Sequence, residues 1–316
     1  MLTRHSNRRP KSWAYGLIAI AMVLGITLGQ PLIAQAINWG ELLQRGIQVI
    51  QLSNISDQQE MELGKQINDN IAKQARISRD SNLVNYVNTI GQRLARQSDR
   101  PNLTYNFQVV EDDNINAFAT MGGYVYIHTG LLKAADNEAQ VASVIAHEIG
   151  HITGKHSIKQ TREDAIAQGL LGATGLKKST IINLGTELAL RRPHSRRDEY
   201  DADQRGLKNL SSANYAQPEM VRFMEKLLAF RSSTPAFLST HPDTGSRIKQ
   251  LEATIKKSPS SGKDGTDNVD YARRVGKQVT GATSTPTPTA TTTPSSTPTP
   301  VASPKPRSGE VIVPTE

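Results

Sequence analysis

Ala146-His147-Glu148-Ile149-Gly150-His151 is the most informative stretch of this chain. On an α-helix, two histidines four positions apart are rotated by only about 40° and lie about 6 Å apart along the axis, so they can share one metal ion. Glu148 follows His147 directly, and its carboxylate can reach a metal-bound water without being a ligand. This HExxH spacing is typical of zinc-dependent hydrolases. The alternative is an ordinary helix that carries two solvated histidines.

We expect the motif to lie on a helix with defined ends. Asn137 is a suitable N-cap, Glu138 is favourably placed at the positive end of the helix, and Gly154 can end it. The apolar residues at helical spacing predict one buried stripe, made of Val141, Val144 and Ile145.

The chain before this helix changes from helical to strand-like periodicity. Residues 38–76 predict two helices and residues 81–98 a third, amphipathic helix. Alternating apolar residues then predict a strand at 103–109, and two further short strands are expected at 114–119 and 123–128, on either side of a turn at Met121-Gly122-Gly123. The expected fold is therefore of the α+β class, mostly helical, with a small three-stranded sheet.

Downstream, helical patterns return and then fade. Residues 158–190 look helical with a glycine-rich middle, a new helix is predicted near Ser195, and Pro218 can start another. The apolar pattern ends after Leu251. We therefore place the folded domain at residues 37–255.

Both ends of the chain look unlike a folded domain. Residues 1–36 combine a basic start, the apolar run Trp13–Gly29 and the small-residue pattern Ala34-Gln35-Ala36, which predicts a signal peptide or, if uncleaved, an N-terminal anchor. We expect the protein to be exported to the periplasm or cell envelope. Residues 256–316 are expected to form a disordered tail, because 17 of the 18 residues from Thr283 to Pro300 are Ser, Thr or Pro.

Composition excludes several classes of function. The 316 residues include no cysteine, which excludes disulfides, thiol catalysis and cysteine-ligated zinc sites. Half of the net charge of +8 comes from the N-terminal residues that precede the first acidic residue, namely Arg4, Arg8, Arg9 and Lys11. Without a recognisable nucleic-acid-binding module, we expect no nucleic-acid partner.

A catalytic zinc needs a third protein ligand and an open position for water. Ser157 stands where the metzincin spacing requires a histidine; His156 comes one residue early and, in a continuous helix, would face away from the metal in a structural role. Glu199 is the best candidate from a later helix. Asp203 lies four residues further on, where it can accept the outer ring N–H of a ligand histidine. The alternative for both is an exposed acidic helix face.

Four separate stretches, in order between residues 56 and 252, resemble the HtpX-like, CAAX-prenyl-protease-type gluzincin endopeptidases, most closely their periplasmic, BepA-like members. They are Asn116-Ala117-Phe118-Ala119 with Gly122-Gly123 and Gly130-Leu131-Leu132; HEIGH with His156-Ser157; Ser195-Arg196 with Glu199 and Ala202-Asp203; and Ser239-Thr240-His241-Pro242 with Arg247. The resemblance implies a gluzincin-type fold and one zinc ion per subunit, bound by His147, His151 and Glu199, with Glu148 as catalytic base. It also implies that residues 256–316 have no counterpart of the long C-terminal repeat domain.

Two further sets of residues are candidates for the site. His241 can donate a hydrogen bond to the oxyanion or cover the zinc at rest, the alternative being a loop histidine, and Arg247 can position His241 or substrate. Residues 116–127 include a candidate edge strand onto which an extended peptide can add by main-chain hydrogen bonds. Its contact residues would be Asn116, Ala117, Phe118 and Ala119, although core packing suits Phe118 better.

Taken together, these features predict a zinc metalloendopeptidase that hydrolyses unfolded or misassembled polypeptides of the cell envelope, with possible peripheral membrane contact. A chaperone-like binding protein with a structural metal site is one alternative, against which the intact Glu148 argues. A processing peptidase with a single partner substrate is the other.

Overall fold

A computed structural model describes residues 49–170, 175–230 and 234–276. The predicted signal segment 1–36 and the Ser/Thr/Pro-rich stretch 283–300 lie outside the described residues.

The sheet has the predicted three strands. They are β2 (Asn106–Val110), β3 (Ala117–Thr120) and β4 (Tyr124–His128), in the order β2-β4-β3, with β4 parallel to β2 and antiparallel to β3. A separate antiparallel pair joins β1 (Val49–Ile50) to β5 (Leu176–Lys177). Two helices were predicted between residues 38 and 76. The first of them is wrong over the residues that the structure describes, because residues 49–54 form β1 and a short 3-10 turn.

The described helices follow the expected order and confirm a mostly helical α+β fold. They are α1 (Asp57–Ile71), α2 (Ser81–Ala95), α3 (Thr129–Ala134), α4 (Glu138–Thr153), α5 (His156–Ala167), α6 (Lys178–Arg191), α7 (Arg196–Ser212), α8 (Pro218–Leu228), α9 (Ala236–Thr240), α10 (Thr244–Lys257) and α11 (Asn268–Arg274). Among the described helices, none has the length and apolar character needed to cross a bilayer.

Capping residues set where the two site helices begin. The Asn137 side chain accepts a hydrogen bond from the Gln140 backbone N–H at 3.0 Å and starts α4 as predicted. The Ser195 hydroxyl accepts from the Asp198 backbone N–H at 3.2 Å and starts α7. These two caps therefore fix the register of the helices that carry the motif residues.

Helix α4 is buried all round rather than along one stripe. Residues 139–152 are all buried, because the sheet, α2, α7 and α8 surround the helix. Its closest neighbour is α7: a Cβ on Gly150 would lie only 2.5 Å from the Ala202 backbone oxygen, and one on Gly206 only 3.1 Å from the His147 backbone nitrogen. The two backbones therefore nearly touch, which brings side chains of α4 and α7 within ligand distance of each other.

The predicted domain end at residue 255 is wrong. Helix α10 continues to Lys257, and α11 packs on the core through Tyr271, which is 1% exposed and donates a hydrogen bond from its hydroxyl to the Leu132 carbonyl at 2.6 Å. The Gly265 carbonyl also accepts from the Ala139 N–H at the start of α4. A seven-residue helix with one large aromatic residue is too short to give an apolar period, so the sequence pattern did not reveal it.

Candidate metal centre and active site

Four buried side chains direct their donor atoms to one point. His147 and His151 come from α4, Glu199 from α7 and His241 from the turn after α9, and one donor atom of each lies within 4.8 Å of all the others. The Nε2 atoms of His147 and His151 are 3.0 Å apart, and His151 Nε2 is 3.3 Å from Glu199 Oε1. Nitrogen and carboxylate donors at such distances, shielded from water, are suited to hold a metal ion.

His241 is the fourth member of this cluster. Its Nδ1 lies 3.2 Å from His147 Nε2 and 3.2 Å from Glu199 Oε1. Its backbone N–H donates to the Phe237 carbonyl at 2.8 Å, and its carbonyl accepts from Arg247 Nη1 at 3.2 Å. The structure therefore brings His241 within metal-binding distance and holds its backbone on both sides.

Glu148 lies beside the donor cluster, and its carboxylate makes no hydrogen bond to the described residues. The side chain is fully buried. Glu148 Oε1 lies 3.5 Å from His241 Nε2, an ion-pair contact rather than a hydrogen bond. Burial raises the pKa of Glu148, which favours a carboxylate that takes up and returns a proton. A buried carboxylate left without a hydrogen bond in this way indicates a group that binds here.

A carboxylate–arginine pair supports the outer side of His147. The ring Nδ1–H donates to Asp203 Oδ1 at 2.9 Å. Arg247, itself buried, donates to both Asp203 oxygens at 2.7 Å and lies 2.6 Å from Glu199 Oε2. Asp203 and Arg247 therefore lie at the positions expected for residues that orient the ligands.

The charges of these groups differ before metal binding. Burial lowers the pKa of His147, but the carboxylates of Asp203 and Glu199 outweigh it and raise that pKa to about 9. Burial lowers the pKa of His151 well below its usual value, so this ring is neutral. Burial opposes ionisation of Glu199, yet His241, His147 and His151 keep its pKa well below the usual range. Because ligand imidazoles must be unprotonated, a metal ion bound through His147 would have to displace a proton from this ring.

Comparison with known proteins agrees with this arrangement of residues. Residues 81–255 match the model of peptidase family M48. The chain belongs to peptidase family M48. This confirms the predicted membership of a BepA-like metallopeptidase family.

Curated relatives match the same part of the chain. It is 32% identical over 213 residues to the β-barrel assembly-enhancing protease of Escherichia coli, covering 62% of this chain and 44% of that protein. It is 30% identical over 177 residues to the mitochondrial metalloendopeptidase OMA1 of Schizosaccharomyces pombe, covering 53% of this chain and 51% of that protein. The chain thus spans about half the length of these relatives.

His194 also lies beside the donor cluster, where the sequence patterns did not place it. Its ring stacks on His151 with centroids 4.0 Å apart and lies 5.5 Å from the His241 ring. Burial, together with the nearby His241, lowers the pKa of His194 to about 3, so the ring is neutral. Its Nδ1 has no partner among the described residues. Its position directly before the Ser195 cap of the Glu199 helix was the available sequence signal.

His156 lies behind His151 rather than pointing away from the site. The expectation assumed a continuous helix, but α4 ends at Thr153, and Lys155 takes a left-handed conformation with φ 54°. This turn brings His156 Nδ1 to 2.9 Å from His151 Nδ1. His156 is therefore in contact with the outer nitrogen of a candidate ligand and outside the donor cluster.

The predicted edge strand is at the edge of the sheet but is covered. β3 pairs with β4 on one side only, yet its four residues are at most 6% exposed, because α4 and α6 pack against it. Phe118 stacks on Tyr126 within the core, and Asn116 precedes the strand, with its carbonyl accepting from the His128 N–H. The side chains of β3 therefore belong to the core, and none of the four is free to contact a substrate side chain.

Proposed function

We propose that the chain is a zinc-dependent endopeptidase that hydrolyses peptide bonds of unfolded or misassembled proteins in the cell envelope. The observation that carries the proposal is the fully buried carboxylate of Glu148, which makes no hydrogen bond to the described residues, beside the cluster of His147, His151, Glu199 and His241. A structural metal site has no use for such a base, so this observation favours an enzyme over a chaperone-like binding protein.

The donor set fits zinc. Two histidines and one carboxylate are the ligands of a common class of catalytic zinc site. Ligand atoms held tetrahedrally at about 2.0–2.1 Å from one ion are about 3.3–3.4 Å apart. The separations of 3.0 Å between His147 Nε2 and His151 Nε2 and of 3.3 Å between His151 Nε2 and Glu199 Oε1 are close to this spacing. His147, His151 and Glu199 would therefore hold the ion.

Zinc, when bound, would acidify a water molecule and polarise the scissile carbonyl. Glu148 would accept the proton from the attacking water and deliver it to the leaving amine. Its burial supports this role, because a raised pKa brings a carboxylate closer to the pH at which it must both accept and release a proton.

His241 has two candidate roles, as a hydrogen-bond donor to the substrate oxygen or as a resting cover of the metal. The position of its Nδ1 among the donor atoms supports the resting cover. A hydrogen bond from the Phe237 N–H to the Ile115 carbonyl, at 3.0 Å, also ties α9 to the segment that precedes β3. Substrate entry would then require the α9 turn to withdraw.

Envelope substrates are supported by two observations from outside the described site. Residues 1–36 carry the export pattern, and one relative is named as an enhancer of β-barrel assembly. Addition of an extended peptide to β3 would read main chain more than side chains, which suits unfolded polypeptides.

Zinc content and casein cleavage test the proposal on the full chain. We expect one zinc in both the wild type and Glu148→Gln, with cleavage by the wild type alone. Glu163→Gln, which changes an exposed glutamate on α5, is the matched control and should cleave like the wild type. A well-folded wild type without zinc, or a Glu148→Gln variant that cleaves normally, would contradict the proposal. Zinc in the wild type without cleavage of casein would favour the processing peptidase.

A further inference from the structure

We propose that His156 and Asp201 form a relay that orients the candidate metal ligand His151. His156 acts as a positioning residue, and Asp201 fixes His156 in turn. The inference rests on the proposed metal site but concerns residues outside its donor cluster.

Hydrogen-bond geometry sets the direction of the relay. His151 Nε2 faces the other donor atoms, and its Nδ1 lies 2.9 Å from His156 Nδ1. A neutral imidazole that binds a metal through Nε2 carries its proton on Nδ1. His151 Nδ1–H therefore donates to His156 Nδ1, which must be unprotonated.

The second ring nitrogen of His156 then carries the proton and needs an acceptor. His156 Nε2 lies 3.1 Å from Asp201 Oδ2, so the carboxylate accepts this N–H. Arg205 Nε donates to the same oxygen at 2.6 Å and holds the carboxylate in place. Every donor from His151 to Asp201 thus faces an acceptor, and each ring has a single tautomer that satisfies the chain.

The backbone between α4 and α5 is shaped to fit this relay. The left-handed Lys155 turns the chain back so that the His156 ring lies over Gly154. A Cβ on Gly154 would overlap with His156 Nε2 and lie 2.9 Å from Asp201 Oδ2. Gly154 has φ −76°, which any residue can adopt, so the relay and not the local backbone conformation requires glycine here.

A packing role for His156 makes a different prediction. Its ring is buried, and phenylalanine would fill a similar volume without offering an acceptor. Asparagine fills less volume, but its side-chain oxygen can take the place of Nδ1 as acceptor. The two substitutions therefore separate hydrogen bonding from packing.

Zinc affinity, measured on the full chain by competition with a chelator, tests the relay without relying on activity. We expect His156→Phe to weaken zinc binding about 10- to 100-fold, as does loss of other residues that support metal ligands. His156→Asn should recover most of that loss. Asp99→Ala, which removes the outer partner of Arg205 and leaves Asp201 in place, is the matched control and should bind like the wild type.

Wild-type zinc affinity in folded His156→Phe would overturn the relay while leaving the proposed protease intact. Equal losses in His156→Phe and His156→Asn would overturn it in favour of packing. If His156→Phe does not fold, Asp201→Ala decides: weaker zinc binding supports the relay, and unchanged binding overturns it. A folded wild type that binds no zinc overturns the proposed function and the relay together.

Discussion

The two histidines of the HExxH motif look equivalent in sequence, but their outer nitrogens contact different groups. His147 is supported directly by Asp203, whose side chain is 2% exposed and paired with Arg247. His151 contacts a neutral histidine instead, and the carboxylate of Asp201 behind it is 43% exposed. Carboxylate contacts explain why the pKa of His147 is raised to about 9, whereas burial lowers that of His151.

One helix supplies the groups behind both ligands. Ala202 of α7 contacts Gly150 of α4, and Asp201 and Asp203 flank this contact in the sequence. Asp203 contacts His147 directly, while Asp201 contacts His156, which in turn contacts His151. In this arrangement His147 would be oriented by the buried charge of Asp203. His151 would be oriented through the neutral ring of His156, so that the charged group, Asp201, stays near solvent.

The largest expected effect comes from removing the buried support. Asp203→Ala leaves His147 without its acceptor and Arg247 with only Glu199 as a carboxylate partner. We expect the free energy of unfolding of the metal-free protein to fall by about 3 kcal/mol, the lower end of the range for a broken buried ion pair. Urea denaturation measures this change. Wild-type stability would show that the buried pair contributes no net stability.

Separating the two helices should affect both ligands together. Gly150→Ala places a methyl group 2.5 Å from the Ala202 backbone oxygen, which cannot move without moving α7. We expect a loss of about 1–3 kcal/mol in the free energy of unfolding and weaker zinc binding, because Glu199 shifts with α7. Gly245→Ala on α10 is the control, since a Cβ there meets no atom within 4 Å. Equal stability of the two variants would contradict the close helix contact.

A smaller change should affect the His151 side alone. Gly154→Ala displaces the His156 ring, a movable side chain, rather than a backbone. We expect zinc affinity to fall while the unfolding free energy of the metal-free protein changes less than in Gly150→Ala. Chelator competition and urea denaturation of the same samples measure both. A larger loss of stability than in Gly150→Ala would contradict this ranking.

Removing the more exposed carboxylate, Asp201, should have the smallest effect on stability. Asp201→Ala removes a carboxylate that is partly solvated, so the unfolding free energy of the metal-free protein should fall by less than about 1 kcal/mol. Denaturation beside Asp203→Ala gives the contrast directly. Equal losses of unfolding free energy in the two variants would show that Asp201 and Asp203 contribute alike to stability despite their different exposure.

Local features of the site were predictable from sequence. The spacing of His147 and His151 on one helix face and the Ser195 cap that sets the position of Glu199 are short-range patterns. The direction of His156 was not, because it depends on the left-handed conformation of Lys155. His194 reaches His151 only through the approach of α7 to α4, a tertiary contact.

Tertiary packing also explains the remaining differences in the fold. A strand was predicted where β3 lies, but the burial of this strand depends on α6, which is distant in sequence. The packing of Tyr271 against the segment that precedes α4 moves the end of the folded region beyond residue 255. Neither contact gives rise to a periodic pattern of apolar residues in the local sequence.

X-ray absorption spectroscopy of the zinc-loaded full chain would show directly whether the histidines of the HExxH motif and a carboxylate bind the ion. We expect one zinc with two imidazole nitrogens and at least one carboxylate oxygen at about 2.0–2.2 Å. A spectrum without imidazole ligands would contradict this expectation. So would a variant that lacks both His147 and His151 and still gives the same zinc spectrum as the wild type.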